Sequence, residues 1–202
     1  MSDPRETPAF AGDLEEMLAH AWRQLSRGVK DRRSPYHTPC VATIGLDGRP
    51  RQRTVVLRGV EPATARLRFH TDARTEKVAE LRQDPRIALH AYDPSGKLQI
   101  RVEGRATLHG DDAVAEQSWR ATRMASRGVY ATDPAPGSAL DEPGGYRLPE
   151  DEGAILAGRA HFRVVEIAAE SLETLWLAHD GHRRARFVLD GAARAEGTWL
   201  VP

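Results

Sequence analysis

Tight-turn signals cut this chain into short apolar runs, and that constrains its fold more than any other feature. Asp47-Gly48, Pro94-Ser95-Gly96, Asp180-Gly181 and Asp190-Gly191 each stand between two such runs. Turns this short join antiparallel neighbours, because a parallel pair needs a long crossover, usually a helix. "CVATIGLDGRPRQRTVVLRGV" reads as a β-hairpin, with "TVVL" in its second strand, and "ARLRFHTD" continues the sheet with Leu67 and Phe69 on one face. "RIALHAYD" and "KLQIRVEGRATLH" form a further pair, and "HFRVVEIAAESLETLWLAHDGHRRARFVLDGAARAEGTWLVP" returns to strands. The expected class is mainly β with peripheral helices (α+β), an antiparallel β-barrel rather than a doubly wound parallel sheet.

Helical spacing occurs in three places. Leu14, Met17, Leu18, Ala21, Trp22 and Leu25 mark an amphipathic helix over about 13–28, with Gly28 as its stop. A short helix is expected from Thr75 to Pro85, and another from Asp111 to Ser126 that buries Val114, Ala115 and Trp119. Residues 129–158, rich in Pro, Gly and acids, read as a long surface loop or lid. With 202 residues and no linker or repeat, the expectation is one domain over 1–202.

Charge narrows the possible partners. Lys+Arg and Asp+Glu are both 29, so the chain lacks the net positive field of a nucleic-acid or membrane-surface binder, and any anion site must be local. No apolar run is long enough to span a membrane, "MSDPRETPAF" carries no apolar signal segment, and a single cysteine suits a reducing compartment; a cytoplasmic protein is expected. Cys40, entering an apolar run, reads as a small core residue. The sequence holds no G-x-G-x-x-G, P-loop, G-x-S-x-G or H-E-x-x-H motif. His179 and His182, without ligands at set spacing around them, read as solvated, and no metal site is expected.

"RTVVLR", residues 53–58, sets arginines at both ends of an apolar run. A nearby helix start carries Arg74, Thr75 and Lys77, whose cations oppose the helix dipole. A bound phosphate reverses that sign, since free N–H groups, a hydroxyl and a lysine at a helix N-terminus cradle an anion. Each residue alone reads as a solvated cation; with Arg53 and Arg58 the set reads as an anion site.

"RTVVLR", "FHTDARTEKVAELRQDPR" and "LQIRVEGRA", in that order, resemble the FMN-binding core of the pyridoxamine 5'-phosphate oxidase family, whose fold is a split barrel; "LWLAHDGHRRARFVL" is a weaker match. The resemblance implies an FMN-binding oxidoreductase, with the cofactor at a homodimer interface. It places Arg53 and Arg58 at the FMN phosphate and ring edge, Val55 and Val56 as neighbouring strand backbone, and Thr71, Thr75 and Lys77 at the phosphate and ribityl chain. Gln99 matches a glutamine that reaches the flavin from the other subunit, and Trp176 and Arg186 match further flavin contacts. From the residues alone, Gln99 is equally an exposed strand polar, Trp176 a core or interface anchor, and Arg186 a surface cation.

The family's substrate contacts fall on Arg58, Arg123, His182 and Arg184, with departures. His182 and Arg184 reverse an Arg-x-His pair, Glu76 stands where a basic residue is usual, and Arg123 is equally an ordinary helix-surface cation. No catalytic residue is assigned. Three functions stay open: an FMN oxidoreductase with an unidentified small substrate, a pyridoxamine/pyridoxine 5'-phosphate oxidase, and a non-catalytic flavin-binding protein. The departures favour FMN binding over vitamin B6 oxidation.

Overall fold

The computed structural model describes residues 7–191 and 195–202. Helix α1 (Leu14–Lys30) starts at Asp13, whose carboxylate accepts from the Glu16 N–H at 2.9 Å, and buries Met17, Ala21, Trp22 and Leu25. It runs through Gly28, which does not stop it. A Cβ there would lie 2.5 Å from the Tyr36 carbonyl oxygen, so glycine serves the close passage of the returning chain.

Strands β1 (Cys40–Ile44) and β2 (Pro50–Thr54) form the expected hairpin. The apolar run that follows is not one strand. β2 ends at Thr54, Val55 and Val56 cross over, and β3 (Leu57–Glu61) pairs with β4 (Arg66–Asp72) instead. Next come α2 (Glu76–Gln83), β5 (Arg86–Asp93) and β6 (Leu98–His109). The helix expected over Asp111–Ser126 breaks at Thr122–Arg123 into α3 (Ala113–Ala121) and α4 (Met124–Arg127). Thr122 closes α3 in extended geometry and its hydroxyl donates to the Ser118 carbonyl at 2.8 Å, turning the chain. The segment read as a long surface loop or lid opens on a 3-10 turn, Gly128–Ala131, and carries a helix, α5 (Glu152–Ala157), capped by Asp151. β7 (Phe162–Trp176), β8 (Arg183–Leu189) and β9 (Ala195–Leu200) complete the described elements.

All ladders among these strands are antiparallel, in the order β2-β1-β5-β6-β7-β4-β3, with β8 and β9 added at β7. β7 pairs with β4 through its first half and with β8 through its second, so the sheet forks there. The two ends of the main path, β2 and β3, are consecutive in the chain and joined by Val55-Val56. The result is an open, split barrel. A bulge at Glu103/Gly104 bends β6 across β7, and a Cβ on Gly104 would lie 2.1 Å from the Ala168 carbonyl oxygen. Paired residues share a face, so one row of side chains runs Val41, Leu89, Val102, Leu172 and Phe187, all buried in the barrel core that α1 covers. Cys40, one residue out of phase, lies half-buried on the opposite face rather than in the core. No described helix is long and apolar enough to cross a membrane.

Candidate functional site

Two cation clusters flank the Val55-Val56 crossover. The first gathers at the head of α2. Lys77 Nζ donates to the buried Thr71 Oγ1 at 3.1 Å, with no carboxylate in ion-pair range among the described residues. Thr75 stands at the N-cap but does not cap; its hydroxyl donates to the Asp72 carbonyl at 2.7 Å and lies 3.3 Å from Thr71 Oγ1. Burial lowers the pKa of Lys77, and the Arg53 charge beside it lowers it further, against the opposing pull of Glu80 and Asp72. Arg53, paired with Val41, extends the core row to the sheet edge. There its Nη2 meets Glu80 Oε2 at 2.7 Å, and its Nη1 donates to Thr43 Oγ1.

Arg74, expected in the same anion site, is committed elsewhere. Its guanidinium grips Asp72 through Nε–Oδ1 at 3.0 Å and Nη2–Oδ2 at 2.7 Å, and donates to the Thr132 carbonyl at 2.9 Å. An adjacent carboxylate outcompetes a more distant anion for a bidentate guanidinium. Arg74 thereby pins the start of the 129–158 segment to the turn before α2.

The second cluster surrounds a cavity of about 340 Å³. Arg58 reaches it because β3 bulges there: Leu57 pairs with Phe69 and Gly59 with Arg68, leaving Arg58 unpaired. Arg123, at the break between α3 and α4, meets it from the far side, and Lys30, Arg32 and His37 arrive from the end of α1 and the turn after it. Its lining carries four Lys/Arg side chains and no carboxylate. His70 also lines it; burial, then the neighbouring Arg58 charge, depress its pKa to about 4, so its imidazole is neutral at physiological pH.

Other expected contacts lie on the opposite sheet face. Gln99 pairs with Leu175, and Leu175 with Arg184; Arg101 pairs with Glu173, and Glu173 with Arg186. These rows alternate with the core row that ends at Arg53. Glu173, nearly buried, accepts from Arg101 at 3.1 Å, Arg184 at 3.1 Å and Arg186 at 3.3 Å. Gln99 Oε1 lies 3.2 Å from His90 Nε2. His182 is exposed in the turn before β8. Trp176 parts from this group: paired with Leu98, it takes the core side and packs edge-on against Phe10 at 5.8 Å. The structure thus joins Arg53, Thr71, Thr75 and Lys77, joins Arg58 and Arg123, and sets Gln99, Arg184 and Arg186 apart from both. Glu80, Thr43, His70, Arg101 and Glu173 went unrecognised in sequence; only Glu80, one helical turn beyond Lys77, left a periodic signal.

Known proteins resemble this chain in sequence and in fold. The model of the pyridoxamine 5'-phosphate oxidase FMN-binding domain matches residues 19–110. A pyridoxine/pyridoxamine 5'-phosphate oxidase 2 of Arabidopsis thaliana is 36% identical over 127 residues, 58% of this chain and 64% of the relative. These matches support a pyridoxamine 5'-phosphate oxidase-like FMN-binding family for this chain. It spans under two thirds of that Arabidopsis relative, whereas a pyridoxine/pyridoxamine 5'-phosphate oxidase of Acinetobacter baumannii, 26% identical, is matched over 88% of its length. Among solved structures, PhzG from Burkholderia lata, in complex with tetrahydrophenazine-1-carboxylic acid, superposes with a TM-score of 0.71 at 20% identity over 100% of both chains. A pyridoxamine 5'-phosphate oxidase-related FMN-binding protein from Nostoc punctiforme gives 0.67 at 21%, covering 98% of this chain and 100% of its own. At these identities the likeness is one of fold: the FMN-binding split barrel of this family is the fold of this chain.

Proposed function

We propose that this chain is an FMN-dependent oxidoreductase acting on a small substrate, with Arg53, Thr71, Thr75 and Lys77 holding the FMN phosphate and ribityl chain. The observation that carries the reading is Lys77: half-buried, lowered in pKa by burial and by Arg53, and, among the described residues, side-chain bonded only to a threonine hydroxyl. A cation pair kept this close without a counter-charge on Lys77 is stabilised by a dianion. The donor set fits a phosphate monoester, since it combines an ammonium, a guanidinium, hydroxyls and the free N–H groups that open α2. Val55 and Val56 run between this cluster and Arg58, giving a flat ring an apolar crossover segment to lie against. Bound FMN supplies hydride acceptance and return; the chain's residues supply position and charge.

Gln99 and Arg186 serve this site from a second copy. They project from the sheet face opposite the core row that Arg53 extends, so one copy presents its phosphate cluster while its partner presents these donors. Trp176, on the core side, is left to anchor Phe10. A homodimer is therefore part of the proposal.

The substrate of the lead reading is a small molecule with an anionic group, held by Arg58 and Arg123. One observation favours the narrower reading of pyridoxamine/pyridoxine 5'-phosphate oxidation: Arg58 and Arg123, matched separately in sequence, line one cavity. Glu76 and the reversed His182/Arg184 pair weigh against it. Anaerobic titration of the FMN-loaded protein with pyridoxine 5'-phosphate, pyridoxamine 5'-phosphate and a panel of carboxylate reductants separates the readings. Bleaching of the flavin band by a member of the panel, weakened in Arg58→Ala and Arg123→Ala, is expected. Bleaching by the B6 phosphates with turnover of roughly 1 per second under air promotes the narrower reading; a flavin that no reductant bleaches indicates a non-catalytic flavoprotein.

A further inference from the structure

Glu80 is the acid in the phosphate cluster that pairs with Arg53, and it is almost wholly buried, with 3% of its side chain exposed. A carboxylate beside a phosphate site repels the ligand, so its presence needs a compensating role. Its contacts indicate one. Glu80 Oε2 accepts from Arg53 Nη2 at 2.7 Å and from the Thr43 hydroxyl at 2.6 Å, while Arg53 Nη1 donates to the same Thr43 oxygen. The three groups form a closed ring that spans β1, β2 and α2. Thr43 is 2% exposed, so two of its three members are fixed by packing.

Arginine carries several rotatable bonds, and an edge-strand guanidinium loses much of that freedom when it binds a ligand. The ring removes the freedom beforehand. A guanidinium has five N–H donors, and the contacts to Glu80 and Thr43 engage Nη2 and Nη1 while leaving Nε–H uncommitted among the described contacts. Glu80 also sits one turn after Lys77 on α2, so the helix that carries the lysine fixes the arginine as well.

We propose that Glu80, with Thr43, is a positioning residue for the FMN phosphate: it holds Arg53 beside Lys77 in a binding-ready pose and does not itself touch the ligand. The proposal rests on the phosphate site assigned above. It makes the affinity for the phosphate depend on a residue that by charge alone opposes it, because lost orientation outweighs relieved repulsion when the acid is bonded into a buried ring.

The test is fluorescence titration of FMN and of riboflavin, which lacks the phosphate, against purified wild type, Glu80→Ala, Glu80→Gln, Thr43→Val, Arg53→Ala, Lys77→Ala and the double variant Arg53→Ala/Glu80→Ala. Glu80→Ala is expected to weaken FMN about tenfold with riboflavin unchanged, and Glu80→Gln, which keeps an acceptor, to recover most of that loss. Thr43→Val is expected to lower FMN affinity selectively, and adding Glu80→Ala to Arg53→Ala to change FMN affinity no further. Equal losses for FMN and riboflavin in Glu80→Ala give Glu80 a merely structural role and overturn the proposal. Tighter FMN binding in Glu80→Ala also overturns it, showing that Glu80 competes with the phosphate. If Arg53→Ala and Lys77→Ala weaken FMN selectively while Glu80→Ala does not, the positioning role fails and the phosphate site stands; if neither of those two does, the phosphate site fails as well.

Discussion

Lys77 Nζ donates to Thr71 Oγ1 at 3.1 Å, and this bond joins the first turn of α2 to the end of β4. Arg53 arrives from β2, on the other end of the sheet path, and lowers the pKa of the same lysine. The barrel seam is thus also the place where distant segments bring two cations together.

The split of contacts between sheet faces predicts complementation in trans. Lys77→Ala damages the phosphate cluster and Arg186→Ala damages the opposite face, so each homodimer should bind FMN weakly. After mixing and subunit exchange, a heterodimer carries one site with both lesions and one intact site. Wild-type affinity should return in about a quarter of all sites, given random pairing of a symmetric dimer. Equilibrium dialysis with FMN measures this, and mixtures that bind no better than their parents would show that Arg186 acts within its own chain or not at all.

His70 predicts a pH dependence of stability. Its folded pKa, about 4, lies below the ordinary value of 6.5, so the unfolded chain binds the proton more readily between these values. Stability from this group is complete above pH 6.5 and declines as pH falls to 4, by about 3 kcal/mol in all. His20 and His161 are lowered too and add in the same direction. Urea unfolding at pH 7 and pH 4.5 should show a large loss in wild type and a smaller one in His70→Gln. Equal losses in the two proteins would remove His70 from the account.

Arg74 predicts the behaviour of the long segment after α4. Through Asp72, Thr132 and Tyr130 it ties that segment to the turn preceding α2. Arg74→Ala removes charge-assisted bonds worth about 1.5–3 kcal/mol in total effect. Limited proteolysis should cut within residues 132–151 faster in the variant, with cleavage elsewhere unchanged. Identical digestion of the two proteins would mean that other contacts hold the segment.

Particular residues show how far the sequence discloses this molecule. The turn dipeptides and alternating runs marked the antiparallel strands, because period and turn chemistry are local properties. "RTVVLR" misled as one strand: its apolar run continues unbroken while its hydrogen-bonding partner changes from β1 to β4, and partner choice is not local. Gly28 carries the same composition signal whether it ends a helix or admits Tyr36, and only the fold decides. Lys77, Thr71 and Arg53 were expected together from spacing and resemblance, and the fold brings them together. Glu80 was not, since a buried acid and a solvated helix-face acid look alike until a partner from β2 arrives. Arg58 was expected at a site, but its place at the cavity depends on a one-residue bulge that no pattern announced.

The central claim is that Arg53 and Lys77 hold the FMN phosphate, and titration of FMN and riboflavin against wild type and Lys77→Ala tests it most directly. Loss of one charge-assisted contact, about 1.5–3 kcal/mol, should weaken FMN by about 10- to 150-fold and leave the already weak binding of riboflavin unchanged. Equal weakening of both ligands, or none of either, would contradict the claim.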